Sequence, residues 1–317
     1  MALDHFVSQV HLKNFYAPDL GERMYAMRKT DLKRFTCDAY SQCRIEDGST
    51  NNYLEEPRAI EEFLRDVEPR YNVAIANARR GRLEREDVFA ISGFAAYVQS
   101  CSPGGMRIHA GPMQSTLEFT AAMLDDMGLL PPVPPELGAD TLTDLLRSKS
   151  VVVNIDPKYP QSIGINTILK STSMWGNSVW DLIINEDPDN PFFTSEYPIA
   201  IEGSSRPGII NRLVPLAPDL ALRIWPDLRQ RGRVDLDFAA LRTRKVRSTR
   251  QDVLHINRSI VQSAESTVYF SRDLPWIPGF VEKNRAFRIG SESAQIPQGE
   301  QQMIISSLKI EKVEGQR

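Results

Sequence analysis

The sequence is short of cysteine and has no long apolar run. Its 317 residues include only Cys37, Cys43 and Cys101, whose number and spacing fit neither a disulfide framework nor a zinc site. We expect all three to be buried, reduced thiols, which favours a cytoplasmic location. No run of about 18 apolar residues is available to span a bilayer, so no membrane partner is expected. The N-terminus also lacks the basic and apolar regions of a signal peptide.

Strong charge and familiar catalytic motifs are absent as well. The net charge of −3 argues against a globally basic nucleic-acid-binding protein, although local basic patches remain compatible with it. The chain contains four histidines and no HExxH, GxSxG, GxGxxG or Walker-type phosphate loop. Hydrophobic residues make up 41% and charged residues 25%, values that predict a globular protein with a sizeable core. The composition therefore limits the class of protein without indicating a reaction.

The N-terminal segment is the most unusual part of the chain, because polar side chains alternate there with apolar ones. We predict a helix capped by Asp4, which places His5, Gln9 and Leu12 on one face. An imidazole and an amide one turn apart on a partly apolar surface can form a site. They can equally be two satisfied polar residues at the edge of a core.

The order of the remaining patterns predicts an α+β protein. Residues 1–130 are expected to be helical, 131–150 to form a proline-rich linker with a short helix, and 151–317 to form an α+β part. A mixed, mainly antiparallel sheet in the C-terminal part fits these patterns better than βαβ alternation. The same patterns are also compatible with one continuous domain.

Several local predictions follow the hydrophobic periodicity. An apolar stripe predicts a helix over 57–81, which Pro69 is expected to kink or split. The polar segment 36–53 is predicted to be a loop, and Leu169–Ile184 a helix around two tryptophans. Two short strands are predicted over 212–225, and a helix follows at 252–265.

Two carboxylates lie at breaks in these elements and are candidates for chemistry. Glu68 stands beside the apolar stripe and just before Pro69, where a kink leaves backbone groups open to a ligand. Glu196 follows an apolar strand half, where it can act as a general base, a metal ligand or a helix cap. The alternatives are surface ion pairs for Glu68 and a turn-forming role for Glu196.

A basic stretch is the strongest charge signal. From Arg229 to Arg250 the chain has eight Arg or Lys and two Asp, a local charge of +6. The candidate nucleic-acid-binding residues are Arg242, Arg244, Lys245, Arg247 and Arg250. Guanidinium groups interleaved with Ser and Thr suit phosphate oxygens, but the densest part of the stretch has no aromatic residue to stack on bases. The alternative is a solvated surface that balances acidic patches elsewhere.

Four segments, in order, resemble an uncharacterised and mostly bacterial family, domain of unknown function 4238. They are Asp4-His-Phe-Val-Ser-Gln-Val-His-Leu-Lys-Asn-Phe15, the helix with paired glutamates Glu61–Glu68, Phe193-Thr-Ser-Glu-Tyr-Pro-Ile199 and Pro215-Leu-Ala-Pro218. A later helix with Asn257 and Arg258 fits the end of the family pattern, so these two residues are further candidates. The resemblance extends from His5 to about Tyr269.

The chain departs from the family pattern at several positions. Asp4 replaces the first of two histidines, Ser8 a proline and Glu196 an aspartate. Asp4 and Glu196 can still bind a hard cation or accept a proton, with altered geometry. If the family has a catalytic site, these changes alter it or disable it in this member.

The resemblance implies no activity, so the residues carry two functional hypotheses. The first is a hydrolase, such as a metal-dependent nuclease, in which His5, Gln9, Glu68 and Glu196 form one site and a divalent cation is a candidate cofactor. The second is a non-enzymatic protein that binds nucleic acid or an acidic partner through 229–250. The first hypothesis predicts that the four residues converge in one cleft.

Overall fold

Nine α-helices are present in the computed structural model, which describes residues 3–206, 208–227, 229, 232, 234–298 and 301–313. They are α1 (Gln9–Leu12), α2 (Ala59–Arg80), α3 (Arg85–Cys101), α4 (Pro103–Asp126), α5 (Leu142–Arg147), α6 (Lys158–Asn166), α7 (Ile168–Gly176), α8 (Arg250–Ser263) and α9 (Ile277–Asn284). The predicted stripe forms the long helix α2, which ends at Gly81 with a φ of 71°. Pro69 lies inside α2 and does not split it.

The strands form a mixed, mainly antiparallel arrangement, which confirms the predicted α+β class. They are β1 (Leu3–His5), β2 (Met24–Arg28), β3 (Arg34–Cys37), β4 (Arg44–Glu46), β5 (Val179–Ile184), β6 (Thr194–Ser195), β7 (Ala200–Gly203), β8 (Ile210–Ala217), β9 (Leu220–Trp225), β10 (Arg242–Arg247), β11 (Thr267–Phe270), β12 (Phe287–Gln298) and β13 (Gln301–Lys312). A five-stranded sheet has the order β10-β5-β9-β8-β7, in which β10 and β5 are parallel. A four-stranded antiparallel sheet has the order β3-β2-β11-β6, and β1-β4 and β12-β13 form two-stranded sheets.

The five-stranded sheet is buried on two faces because apolar residues point both ways from its central strands. Leu182 and Leu222 belong to the larger core cluster, whereas their neighbours Ile183 and Ala221 belong to a second cluster under α8. The larger cluster also contains Phe94, so residues from both sides of the 131–150 segment share one core. The division of the chain into parts stays a prediction.

The opening helix was predicted wrongly. Leu3–His5 is a strand paired antiparallel with Arg44–Glu46, and the first helix begins only at Gln9. The Asp4 carboxylate accepts a hydrogen bond from the Ser49 backbone N–H at 3.0 Å and does not cap a helix. Strand pairing with a distant segment therefore overrides the local helical pattern.

Two further local predictions differ from the structure. The segment 36–53 contains β4, which the polar composition concealed. The predicted helix Leu169–Ile184 ends at Gly176 and is followed by β5, whose valine, tryptophan and isoleucines suit a buried strand. The two strands over 212–225 and the helix after 250 are confirmed as β8, β9 and α8.

The three cysteines are buried and unpaired, as predicted. Burial raises the pKa of the Cys37 and Cys101 thiols to about 12, so both remain protonated at neutral pH. Among the described residues, none of the helices combines the length and the apolar character that a bilayer crossing requires.

His11 is a fully buried residue that links three parts of the core. Its Nδ1 lies 2.8 Å from the Tyr71 hydroxyl of α2, and its Nε2 lies 2.8 Å from the Thr194 hydroxyl of β6. The ring stacks on Phe94 of α3 with the centroids 4.6 Å apart. Burial lowers the pKa of His11 to about 3, so the imidazole is neutral at neutral pH.

Acid should destabilise the fold through this imidazole. The ordinary pKa of histidine is 6.5 and that of His11 in the fold is about 3, so the unfolded chain binds the proton first as the pH falls. The contribution of neutral His11 is complete above pH 6.5 and is lost toward pH 3, by about 1.4 kcal/mol for each pH unit.

We therefore expect urea denaturation between about pH 7.5 and pH 4.5 to show a steeper fall in the unfolding free energy for the wild type than for His11→Gln, which cannot titrate. The difference between the two proteins removes the contribution of the other titrating groups. Equal slopes for the two proteins would contradict the assignment.

Candidate functional site

A cleft of about 570 Å³ opens between the N-terminal segment and helix α2. Its polar lining residues are Asp4, His5, Gln9, Ser49, Glu61, Arg65 and Glu68. Its apolar lining residues are Leu3, Val10, Leu64 and Pro69. We call this space the N-terminal cleft. Three of the four residues that were predicted to converge, His5, Gln9 and Glu68, line it together with Asp4.

Helix α2 supplies one wall because its two faces differ. Glu61, Arg65 and Glu68 are spaced by four and three residues, so they lie on one face of the helix above the cleft. Val67 and Tyr71 belong to the other face, which is buried in the core. The same helix therefore supports the core and presents charged groups to the cleft.

The hydrogen bond of His5 determines which ring nitrogen can accept a proton. Nε2 lies 3.0 Å from the Tyr40 carbonyl oxygen, and a carbonyl only accepts, so Nε2 carries the hydrogen in the neutral ring. The lone pair then belongs to Nδ1. The pKa of His5 is lowered, chiefly by burial and also by the Arg44 charge. Hydrogen bonding to the backbone of Tyr40 and Ala39 opposes the shift, and the Glu68 charge opposes it to a smaller extent. His5 is therefore mainly neutral at neutral pH.

Asp4 and Glu61 are occupied by the same guanidinium group. Arg58 Nε donates to Glu61 Oε2 at 2.8 Å, and Arg58 Nη2 lies 3.7 Å from Asp4 Oδ1. Arg58 Nη1 also donates to the Thr50 hydroxyl at 3.0 Å. These contacts hold the rim of the cleft together, so Asp4 and Glu61 are better explained as structural groups than as free ligands.

Three other polar side chains in the cleft are less constrained, although the Arg65 charge adds to the Arg58 hydrogen bond in lowering the pKa of Glu61. No hydrogen bond or ion pair within the described part of the chain engages the side chains of Gln9, Arg65 or Glu68. Each is only partly buried or is exposed, so each can reach a molecule in the cleft. An amide, a guanidinium and a carboxylate beside a neutral imidazole can bind an anion and move a proton.

Glu196 does not belong to the N-terminal cleft, so its predicted place in the site is wrong. It is buried in the core, where its carboxylate accepts hydrogen bonds from the backbone N–H groups of Ser266 and Thr267, the latter at 2.9 Å. Burial raises the pKa of Glu196, while the backbone donors and the Lys29 charge act against that shift. Glu196 connects the break after β6 to the start of β11.

Lys29 is the buried cation near Glu196. Its Nζ donates to the carbonyl oxygens of Ala264 at 2.5 Å and Phe287 at 2.6 Å. Burial lowers the pKa of Lys29 to about 8, although the charges of Glu196 and Glu265 oppose that shift. This arrangement joins the end of β2 to the segment after α8 and to the first residue of β12, which is a structural role.

The basic residues also lie away from the N-terminal cleft. Arg242, Arg244, Lys245 and Arg247 are exposed on β10, an edge strand of the five-stranded sheet, and Arg250 begins α8. The densest part of the basic stretch therefore forms a strand with exposed side chains. Charged side chains on an edge strand also discourage pairing with another chain.

The two remaining candidates have separate roles. Asn257 is buried, donates to the Pro191 carbonyl oxygen at 2.9 Å and accepts from the Phe193 backbone N–H at 2.9 Å. It therefore holds the segment before β6 against α8. Arg258 is exposed on α8 and lies outside the N-terminal cleft.

Sequence reasoning missed Arg65 as a site residue and His11 as the buried anchor. Arg65 is not among the candidates chosen from the sequence, although its spacing from Glu61 and Glu68 indicates a shared helix face. The signal for His11 was its position between the apolar residues Val10 and Leu12. No group of three or more His, Cys, Asp or Glu suited to a metal ion occurs among the described residues.

Comparison with known proteins identifies the family. No curated protein and no solved structure matched the chain. A family model described as "protein of unknown function (DUF4238)" matches residues 4–273, most of the chain, which confirms the resemblance seen in the sequence motifs. The protein therefore belongs to the DUF4238 family.

Proposed function

We propose that the N-terminal cleft is the active site of a hydrolase that acts on a phosphate-containing substrate. The observation that supports this proposal is the group of polar side chains, Gln9, Arg65 and Glu68, that make no hydrogen bond or ion pair with the described residues and lie beside the neutral imidazole of His5. Polar groups without partners in a cleft are available to a ligand, whereas groups that stabilise the fold are paired with each other. The cleft volume of about 570 Å³ is also within the usual range for small-molecule sites.

In this proposal His5 is the general base. Nδ1 takes a proton from water, whose oxygen forms a bond to phosphorus while the bond from phosphorus to the leaving oxygen breaks. The proton on His5 then passes to the leaving oxygen. The Glu68 carboxylate stabilises the imidazolium that forms between these steps, because its charge raises the pKa of His5.

Arg65 and Gln9 are the groups that would bind the phosphate. A guanidinium donates two parallel hydrogen bonds to phosphate oxygens, and the amide adds a neutral donor. Arg58 offsets the charges of Asp4 and Glu61 at the rim, so an entering anion meets Arg65 without facing three free carboxylates.

A divalent cation is compatible with this arrangement as a companion of the substrate. Mg²⁺ is commonly bound by one or two carboxylates together with substrate phosphates, so a preformed cluster of three protein ligands is not required. Glu68 is the carboxylate available for that purpose.

We also propose a cytoplasmic location, because all three cysteines are buried and unpaired.

Substitution of the cleft residues tests the hydrolase. With bis(p-nitrophenyl) phosphate or p-nitrophenyl phosphate, with and without Mg²⁺, we expect His5→Ala to lower kcat/KM by about 10²-fold or more, since a general base contributes that much. Glu68→Gln should lower it in the same direction. The matched control is Glu62→Gln, an exposed carboxylate on α2 outside the cleft, which should stay within about twofold of wild type. Absence of turnover by the wild type under all these conditions would refute the proposal for these substrates.

The titration of His5 tests the proposed charge arrangement without an assay of turnover. Because the Glu68 charge raises and the Arg44 charge lowers the pKa of His5, we expect Glu68→Gln to move that pKa down and Arg44→Gln to move it up. Histidine ring resonances in NMR spectra measure both shifts, and four histidines make the assignment tractable. Glu62→Gln should leave the pKa unchanged. A His5 pKa that does not change in Glu68→Gln would show that the two side chains do not interact, which contradicts the proposed charge arrangement.

A second candidate is a non-enzymatic protein that binds nucleic acid or an acidic partner through residues 229–250. The exposed cations of β10 favour it, because Lys245 and Arg242 have no ion-pair partner among the described residues. Strand side chains alternate, so Lys245 and Arg247 face away from Arg242 and Arg244. A nucleic-acid strand that tracks this edge would therefore use cations on both sides of β10.

For this second candidate we expect a single-stranded oligonucleotide to be retarded in a gel by the wild type and by His5→Ala. The triple variant Arg242→Ala/Lys245→Ala/Arg247→Ala should abolish the shift, and added salt should weaken it steeply because phosphate contacts release counterions. Retention of the shift by the triple variant would exclude β10 as the binding surface.

A further inference from the structure

A second cleft lies on the five-stranded sheet, and the inference drawn from it does not depend on the hydrolase proposal. It encloses about 350 Å³ and is bounded by β5, β8, β9, β10 and the β7–β8 loop. Four arginines line it, namely Arg206, Arg229, Arg242 and Arg244, together with Trp225. We call it the arginine cleft.

The alternation of side chains along the strands explains why this cleft is open. On one face of the sheet, Ile183, Leu213 and Ala221 pack under α8. Asp181 and Arg223 lie two residues further along the same face. They stand opposite each other on the neighbouring strands β5 and β9. Charged residues therefore replace apolar ones at the end of the face that lines the arginine cleft.

Two of the four arginines are held by carboxylates. Arg229 Nη2 lies 2.7 Å from Asp227 Oδ2, and Arg244 Nε lies 2.6 Å from Asp181 Oδ1. Asp181 also accepts a hydrogen bond from the Trp225 indole N–H at 2.6 Å, which fixes the orientation of that ring. These contacts position the guanidinium of Arg244 and the indole as parts of the cleft wall.

The other two arginines are not held in this way, although the Arg206 charge adds to the Arg229 hydrogen bond in lowering the pKa of Asp227. Neither the Arg206 nor the Arg242 side chain makes a hydrogen bond or an ion pair with any described residue, and both are exposed. Asp227 is the one carboxylate among the lining residues, so positive charge exceeds negative charge in the cleft. An anion there would meet two guanidinium groups whose hydrogen-bond donors are not used by the described residues, one from the β7–β8 loop and one from β10.

The floor and the walls also have features of a ligand site. Asn211 is 1% exposed, and its Oδ1 is buried without a hydrogen-bond partner among the described residues. Val179, Ile209 and Trp225 supply an apolar wall. The guanidinium carbon atoms of Arg223 and Arg244 both lie 5.8 Å from the Trp225 ring centroid, so the indole also packs against cations.

We propose that the arginine cleft binds a small phosphate monoester, with its phosphate on Arg206 and Arg242 and its organic group against Trp225. Guanidinium groups pair with phosphate oxygens through two parallel hydrogen bonds, and the hydroxyl of Ser205 in the same lining is a further donor. The volume of about 350 Å³ exceeds what a phosphate alone fills and lies at the lower end of small-molecule sites. The apolar wall accounts for the remaining space.

Isothermal titration calorimetry with the full chain tests this site. The probes are AMP, adenosine, inorganic phosphate and a twelve-residue oligothymidylate. We expect AMP to bind, inorganic phosphate to bind more weakly and adenosine not to bind. The double variant Arg206→Ala/Arg242→Ala should weaken AMP binding by about tenfold or more, because each charged hydrogen bond contributes strongly. Both side chains are exposed and make no hydrogen bond with the described residues, so the variant should fold normally.

Two matched controls locate the binding. Lys245→Ala removes a neighbouring cation from the opposite face of β10 and should leave AMP affinity within about twofold. Arg258→Ala removes an exposed cation of α8 that lines neither cleft and should likewise leave AMP affinity within about twofold. An equal loss in Arg65→Ala, which removes the guanidinium of the N-terminal cleft, would assign the ligand to that cleft and overturn the inference.

Other outcomes would overturn it as well. They are equal binding of adenosine and AMP, no binding of AMP at about 5 mM, or binding of the oligothymidylate without binding of AMP. An equal loss of AMP affinity in Lys245→Ala would show attraction along the whole of β10 rather than a built site. None of these results bears on the hydrolase proposal, which is tested separately by the turnover assay.

Discussion

The buried His11 imidazole is the interaction on which the N-terminal half of the structure depends. Both ring nitrogens have hydroxyl partners, Tyr71 on α2 and Thr194 on β6, although these residues are far apart in sequence. A neutral imidazole can donate through one nitrogen and accept through the other, so it joins two hydroxyls without a buried charge. Its low pKa is the consequence of that complete burial. The contact fixes helix α1 against α2 and so determines where the preceding strand can run.

The N-terminal cleft follows from this anchoring. With α1 held against α2, the chain before Gln9 crosses the first turns of α2 and pairs with β4. The pairing of His5 with Arg44 brings the imidazole close to the Tyr40 carbonyl oxygen, which sets its tautomer. Core and site therefore share α2: one face packs around Tyr71, and the other presents charged groups to solvent.

The sequence motifs identified the functional groups of the candidate residues more reliably than their positions in the fold. Glu68 and Glu196 were both predicted to stand at breaks in secondary structure, and both are carboxylates. The structure places Glu68 in an open cleft without a hydrogen-bond partner among the described residues, whereas Glu196 is buried and accepts backbone hydrogen bonds. Their local sequences contain no information on this difference, because the donors to Glu196 come from Ser266 and Thr267, about seventy residues later.

The sequence by itself determined the elements whose periodicity is strong, the family and the choice of three cleft residues. Helices α2 and α8 and the β8–β9 hairpin were predictable because each buries an apolar pattern of its own period. Only the tertiary structure decided that the first residues form a strand, that Glu196 is structural and that the basic stretch flanks a cleft. Each of these depends on pairing or burial by residues distant in sequence, and local propensity is too weak to oppose such contacts.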